Sequence, residues 1–230
     1  RLVKLNRGVY AAWGFLGLYL FFGQIVPVAS LLWSSFLRFF QQPSFAAFSM
    51  LSLENYRLLP WAMVAEGAKN TFLLVVLTPT VTVVVSLAFT WMVLRSKYSW
   101  RGLFDFFAFL PHAVPNIIFG IGAMLLGLFV LRQYVPIYGT IWIVLAVLVM
   151  VRISYGTRVL NGALIQVHPE LEEAAYMSGG NTGSVLKSVL FPILTPAIMY
   201  VWIWIALLSY RELALPAILA GKDNTTVALV

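Results

Sequence analysis

Apolar runs of about twenty residues or more, separated by short polar clusters, set the pattern of this chain and predict its elements. The first run covers 8–37 and follows Arg1, Lys4 and Arg7. It exceeds the roughly 7–15-residue apolar core of a signal peptide, so it is expected to remain as a first span. Pro27 should kink it, and Trp33 and Phe36 suit the far interface. Gln41, Gln42, Pro43, Glu54, Asn55 and Arg57 then interrupt the apolar character, and 38–69 is expected outside the membrane. Asn70 and Thr71 resemble a helix start, which predicts a second span over 70–94 that carries Pro79 and is stopped by Arg95, Lys97 and Arg101. A third span is expected over 103–131, broken by Pro111 and Pro115 and loosened by Gly120 and Gly122. A fourth is expected over 140–157 and a fifth over 192–212, with the start of a sixth at 227–230.

Strand-type alternation is absent, and lipid admits only helices or closed barrels, so the fold expected is an all-α polytopic membrane protein. Composition agrees: 61% of residues are hydrophobic, 10% are charged, and the mean hydropathy is +0.91. A net charge of +7 raises the question of nucleic acid, but the basic residues stand at the ends of apolar runs and form no patch. The positive-inside rule accounts for them, and no nucleic-acid partner is expected. It puts the first residues and the loop around Lys97 in the cytoplasm, and hence also the polar segment 161–191. Cysteine is absent, which excludes disulfides, iron–sulfur clusters and thiolate zinc sites, and His112 and His168 are the only imidazoles. No metal site and no cofactor in this chain are expected.

The long polar stretch inside the second half reads HPELEEAAYMSGGNTGSVLKSVLFPILTP over 168–196. Pro169 suits a first helical position, and Glu170, Glu172 and Glu173 favour the positive end of a helix that Gly179 and Gly180 stop. Asn181 or Thr182 can cap a second helix that leads through Pro192 into the fifth span. Glycines ahead of Lys187 and Ser188 suggest a phosphate loop, but Leu186 stands where glycine is required, so ATP is expected to bind elsewhere.

That stretch resembles the EAA loop of permease subunits of binding-protein-dependent ABC importers. Glu173, Ala174, Ala175, Gly179 and Pro192 match the spacing, with Val189 and Phe191 at positions that usually hold Ile and Leu. The segments ENYRLL, KNTFLL, FLPHAVPNIIFGIG, YGTRVL and SYRELALPAIL are similar to the body of permeases in the iron(III)-type branch, which also includes importers of polyamines, thiamine, phosphonates and oxyanions. The resemblance implies a permease core whose coupling helix, with Glu172, Glu173, Ala174, Ala175, Gly179 and Pro192, docks on a cytoplasmic ABC ATPase dimer. ATP and Mg would then belong to that subunit and this chain would not itself be an enzyme. A soluble substrate-binding protein, a second permease half outside these residues and a bacterial inner-membrane location are implied too, as is a longer polypeptide of which this would be the C-terminal half. Iron(III) is the first substrate expected, with polyamine, thiamine or phosphonate fitting the residues as well.

Asp105, His112 and Asn116 are spaced by seven and four, so a continuous helix would stack them on one side as lining of a translocation path. The alternative is that Asp105 is simply wet at the inner surface and His112 satisfies a carbonyl freed by Pro115. Arg211 and Glu212 are expected at the outer end of the fifth span, either as interfacial anchors or as contacts with the partner half or the binding protein. Arg152 and Arg158 read as inner-interface anchors that snorkel to lipid phosphate. Few polar groups otherwise converge in the spans, which argues against a deep, dedicated solute site. Other classes remain open: an ion-gradient-driven carrier, which needs acidic residues at mid-depth, or a membrane scaffold.

Because the chain has no cysteine, single cysteines near Lys97, Glu173 and Glu54 report sidedness directly. The first two are expected to resist an impermeant thiol reagent added outside, and the third to react. Labelling of the Glu173 site from outside would invert the topology.

Overall fold

The computed structural model describes residues 8–97 and 99–230, and its contacts divide the chain into two units, Arg1–Trp61 and Ala62–Val230. Among the described residues there is no strand, and five helices are long and apolar enough to cross a membrane.

In the first unit, α1 (Gly8–Ser35) is a helix of 28 residues. Arg1, Lys4 and Arg7, expected at its inner end, lie outside the described residues. Pro27 acts through a π-helical turn at Phe21–Ile25, in which the Val26 N–H reaches five residues back to the Phe21 carbonyl. Such a turn absorbs the hydrogen bond that proline cannot make. The end of α1 is capped from outside the helix: Asn55 Nδ2 donates to the carbonyls of Ser35 at 3.0 Å and Leu37 at 2.8 Å. Two short helices follow, α2 (Phe45–Phe48) and α3 (Glu54–Arg57). The Arg38 guanidinium pairs with Glu54, and the hydrogen bond and charge of that carboxylate hold Arg38 above its ordinary pKa.

The second unit opens with α4 (Trp61–Arg95), 35 residues long. At about 1.5 Å per residue it reaches about 52 Å, well beyond the roughly 30 Å of a hydrocarbon core. It therefore starts earlier than the expected 70, and the first turns carry Glu66 and Lys69. Asn70 and Thr71 are not its start but interior residues with tertiary partners. Asn70 Nδ2 donates to the Thr225 carbonyl at 2.9 Å, and Thr71 Oγ1 accepts the Val227 N–H at 3.0 Å. Gly67 is needed here, because a Cβ would stand 3.2 Å from the backbone at Thr226 and Val227.

The third span is not one rod. It consists of α5 (Arg101–Phe109), a 3-10 turn (Leu110–Ala113), and α6 (Asn116–Gln133), separated by an extended backbone at Val114. Pro111 and Pro115 impose the break, since each removes a donor and each disfavours helix at the residue before it.

Helix α7 (Ile141–Ile165) is the hub of the unit. Half of its most apolar stretch is buried, more than in any of the other four long helices. Near its start, Ile141, Val144, Val147 and Leu148 pack with Leu74 of α4. Further along, Leu160 meets Val83 of α4, and its end at Leu164 meets Leu190 and Leu194. The last two belong to α9 (Thr182–Tyr210), whose later residues Val201 and Ile205 pack on Leu160, so α9 runs antiparallel to α7. The fourth span thus continues past 157 to Ile165, and the fifth begins at Thr182, not at 192. Between them lies only α8 (Pro169–Met177) with its two flanking turns.

After Tyr210 the chain turns into α10 (Ala214–Ile218) and then a buried polar turn. Asn224, fully buried, accepts the Gly221 N–H at 2.7 Å and donates to the Leu219 carbonyl at 2.7 Å. Residues 227–230, read as the start of a sixth span, form one 3-10 turn at Val227–Leu229 that packs on Gly67.

Helices α4 and α7 meet tightly at Gly156, where a Cβ would lie 3.0 Å from Ser86 Cβ and closer still to its hydroxyl. Gly156→Ala is therefore expected to destabilise the unit by about 1–3 kcal/mol, the usual cost of overpacking. Thermal unfolding in detergent measures it, and Ser86→Gly in the same chain should recover most of the loss. Equal stability of Gly156→Ala and the parent chain would refute the crossing.

Candidate functional site

Two regions of the second unit carry chemistry, an exposed elbow and a cavity. The elbow is α8 and the turn after it. Pro169 occupies a first-turn position, with Glu170 and Glu172 at the positive end of the helix. The helix stops as predicted at the glycines: Gly179 has φ +85°, and the Gly180 N–H returns to the Ala175 carbonyl at 3.0 Å. A positive φ disfavours any residue with a Cβ, and at Gly180 a Cβ would also sit 2.7 Å from that carbonyl. Asn181 then accepts the Ser184 N–H at 2.9 Å and starts α9. Met177 is 89% exposed and stands with exposed Leu171, Glu173, Ala174 and Tyr176, an apolar and acidic surface on a short helix.

The six residues read together from sequence separate in space. Glu173, Ala174, Ala175 and Gly179 share the elbow. Pro192 does not: it lies within α9, directly after a π-helical turn at Leu186–Leu190, and relieves the helix ladder there. Glu172 points inward and is nearly buried. Its Oε1 accepts from Arg95 Nε at 2.6 Å, while Arg95 Nη2 donates to the Val167 carbonyl at 3.0 Å and reaches the Leu164 carbonyl at 3.5 Å. One guanidinium at the end of α4 thus ties the turn that closes α7 to the first turn of α8. Arg95 entered the sequence reading only as a stop signal.

The cavity has a volume of about 720 Å³ and lies between the broken third span and the middle of α7. Phe109, Pro111, Val114, Pro115, Val151 and Leu208 give it apolar walls, and His112, Asn116, Arg152, Ser154, Tyr155 and Arg158 give it polar ones. His112 and Asn116 thus do line one space, though on a 3-10 turn and a new helix instead of one continuous face. Asp105 is not in the wall; it stands behind it as the partner of Arg158, with a nearest approach of 3.4 Å. Arg158 also lies over the Phe109 ring, 4.5 Å from its centroid.

Two expectations are corrected here. Arg152 and Arg158 are not anchors at the inner interface: α7 continues to Ile165, so Arg152 falls about midway along it and faces the cavity. Glu212 follows the end of α9 as expected, but it is not an interfacial anchor either. It pairs with Arg152 at 2.7 Å, because α9 starts lower than expected and ends at that level, while its neighbour Arg211 remains exposed. The sequence did hold a signal for Arg152, an ionisable residue deep inside an apolar run. Ser154 and Tyr155 gave none beyond helical spacing from it. Both the Arg152 Nε and the Ser154 hydroxyl are buried without a protein hydrogen-bond partner. Among the described residues no three His, Asp or Glu side chains gather in a metal-binding group.

The fold and these two regions define the class: a polytopic helical membrane protein with a polar cavity beside the middle of α7 and a separate helical elbow. Curated relatives give the likeness a more particular form. The ferric transport system permease protein FbpB of Actinobacillus pleuropneumoniae is 26% identical over 179 residues, 72% of this chain. A putative ferric permease FbpB 1 of Haemophilus influenzae is likewise 26% identical over 179 residues. A probable sulfate transport system permease protein cysT of Nephroselmis olivacea is 25% identical over 205 residues, 86% of this chain and 68% of its own length. The chain is thus similar to permeases of transport systems, as its motifs indicate, and ferric and sulfate permeases match it alike. It spans 26% and 28% of the length of the two ferric relatives. No family model matches it.

Arg95→Ala would leave Glu172 without its charge partner and the Val167 carbonyl without its guanidinium donor. Faster amide hydrogen exchange is expected over Pro169–Met177, with the interior of α7 unchanged. Unaltered exchange in α8 would show that the guanidinium does not hold it.

Proposed function

We propose that this chain is transmembrane permease of an ABC importer, working with ATP hydrolysed by a separate cytoplasmic subunit dimer and with solute delivered by a soluble binding protein. The observation that carries the reading is the elbow: an exposed short helix ending at Gly179 with φ +85°, tied by Arg95 to the ends of two long helices, one of which lines the cavity. Such an elbow suits docking into a groove of an ATPase. A push on α8 would reach α4 and α7 through Arg95, and α7 carries the wall formed by Arg152, Ser154, Tyr155 and Arg158. His112 and Asn116 face that wall, so the cavity is the proposed translocation path. A second permease half would complete the path, and the elbow would lie on the cytoplasmic side of a bacterial inner membrane. Ferric and sulfate relatives support iron(III) and sulfate equally as solutes.

Glu212 at mid-depth favours a second reading, a carrier driven by a proton gradient, since buried acidic residues are what such coupling uses. The two differ in energy source. Uptake that requires the ATPase and survives an uncoupler supports the importer, and uptake that persists without the ATPase supports the carrier.

Gly179→Asp tests the coupling role. Nothing lies within 4 Å of a Cβ placed at Gly179, and Asp tolerates positive φ better than most residues, so the fold should survive. A charge set into a docking contact would cost about 2–5 kcal/mol of interface energy. Normal insertion, lost uptake, and an ATPase that is shed or no longer stimulated by loaded binding protein are expected. Normal uptake at matched expression would remove the elbow from the mechanism.

A further inference from the structure

The charges in the cavity wall have one sign. Arg152 and Arg158 are among the lining residues, whereas the carboxylates that pair with them, Glu212 and Asp105, are not. Neither pair exhausts its guanidinium. Arg152 gives Nη2 to Glu212 and keeps a buried Nε without a protein partner. Arg158 holds Asp105 only loosely, at 3.4 and 3.5 Å, with its side chain 46% exposed. Between them on α7 sits Ser154, 2% exposed, whose hydroxyl also lacks a protein partner. His112, Asn116 and Tyr155 add further polar groups, and the remaining wall is apolar.

A bare or hydrated cation entering this space meets guanidinium groups and finds no carboxylate in the wall to replace its water. An oxyanion meets the opposite conditions. Planar guanidinium forks match its oxygens, and apolar walls strengthen the attraction by excluding water. Taking the cavity as the translocation path proposed above, we infer that it passes a small oxyanion and rejects cations. The part of the Arg152 guanidinium that reaches the wall, in a side chain 15% exposed, would meet the solute, beside or in place of Glu212. A metal could pass only as a complex of net negative charge. The shared chemistry is a compact anion with several oxygens, whether a free inorganic oxyanion or an anionic ferric chelate.

The first test needs no ATPase. The thermal midpoint of the purified chain is measured in sodium sulfate and in sodium chloride at equal ionic strength, for the native protein and for the neutralised pair Arg152→Gln with Glu212→Gln. General salting stabilises both, so the difference between them isolates the site. A larger sulfate shift in the native chain is expected, and equal shifts overturn the inference. Should the double variant fail to fold, Arg158→Gln, at a partly exposed position, is expected to reduce the same shift.

The second test places the complex with its binding protein and ATPase in proteoliposomes and follows labelled sulfate, phosphate, ferric citrate, thiamine and spermidine. ATP-driven entry of one of the anionic solutes is expected, falling about tenfold or more in the neutralised pair. Sulfate or phosphate entry would identify a free oxyanion, and ferric citrate entry a chelate. Entry of thiamine or spermidine overturns the inference and leaves the importer reading standing. Absence of any ATP-driven entry, together with a native sulfate shift in the first test, overturns the importer reading and leaves the anion site.

Discussion

Ser86 occupies the place where a side chain at position 156 would be, and the rest of the second unit follows from that contact. Lipid provides no hydrophobic drive between helices, so α4 and α7 must gain their association from close packing. Gly156 permits it, with Ser86 Oγ 3.4 Å from the Ile153 carbonyl. Thr78, Thr82, Ser86 and Thr90 recur every fourth residue along the buried side of α4, small enough to keep the two backbones near each other. With α7 fixed against α4 on one side, α9 can pack antiparallel on it, and α5 and α6 take a further side.

The broken third span makes the cavity possible. A straight helix there would fill the space with its own side chains, whereas the turn at Leu110–Ala113 and the extended Val114 stand the backbone off from α7. Irregular backbone at this depth is acceptable only where it lines a cavity or is covered by protein. The prolines therefore do more than interrupt a helix. They determine where water and solute can enter, and α7 supplies the charged groups that face the opening.

Much of the outline was legible because burial in lipid demands long apolar runs, and the five spans leave that trace whatever their contacts. The turn at Gly179 was legible too, since positive φ selects glycine. Span ends were less so. Asn161 and Gly162 look like residues of a loop, yet α7 runs on through them and Asn161 is buried inside the bundle. Moving that end to Ile165 changes Arg152 from an anchor into a mid-depth residue. The same holds for Glu212, whose depth depends on α9 beginning at Thr182. Arg95 and Glu172 are 77 residues apart, and nothing in local spacing announces that they meet.

The pair Arg152–Glu212 has a consequence in time as well as in space. Its members are 60 residues apart, so during synthesis Arg152 reaches the membrane well before Glu212 exists. At about 5–20 residues per second the interval lasts roughly 3–12 seconds. Over that period the guanidinium has no carboxylate to meet it, and its own contribution to the insertion of α7 is unfavourable by about 2.5–3.5 kcal/mol on translocon-based scales. The pair that holds Arg152 inside the bundle can thus form only once the fifth span has followed the fourth.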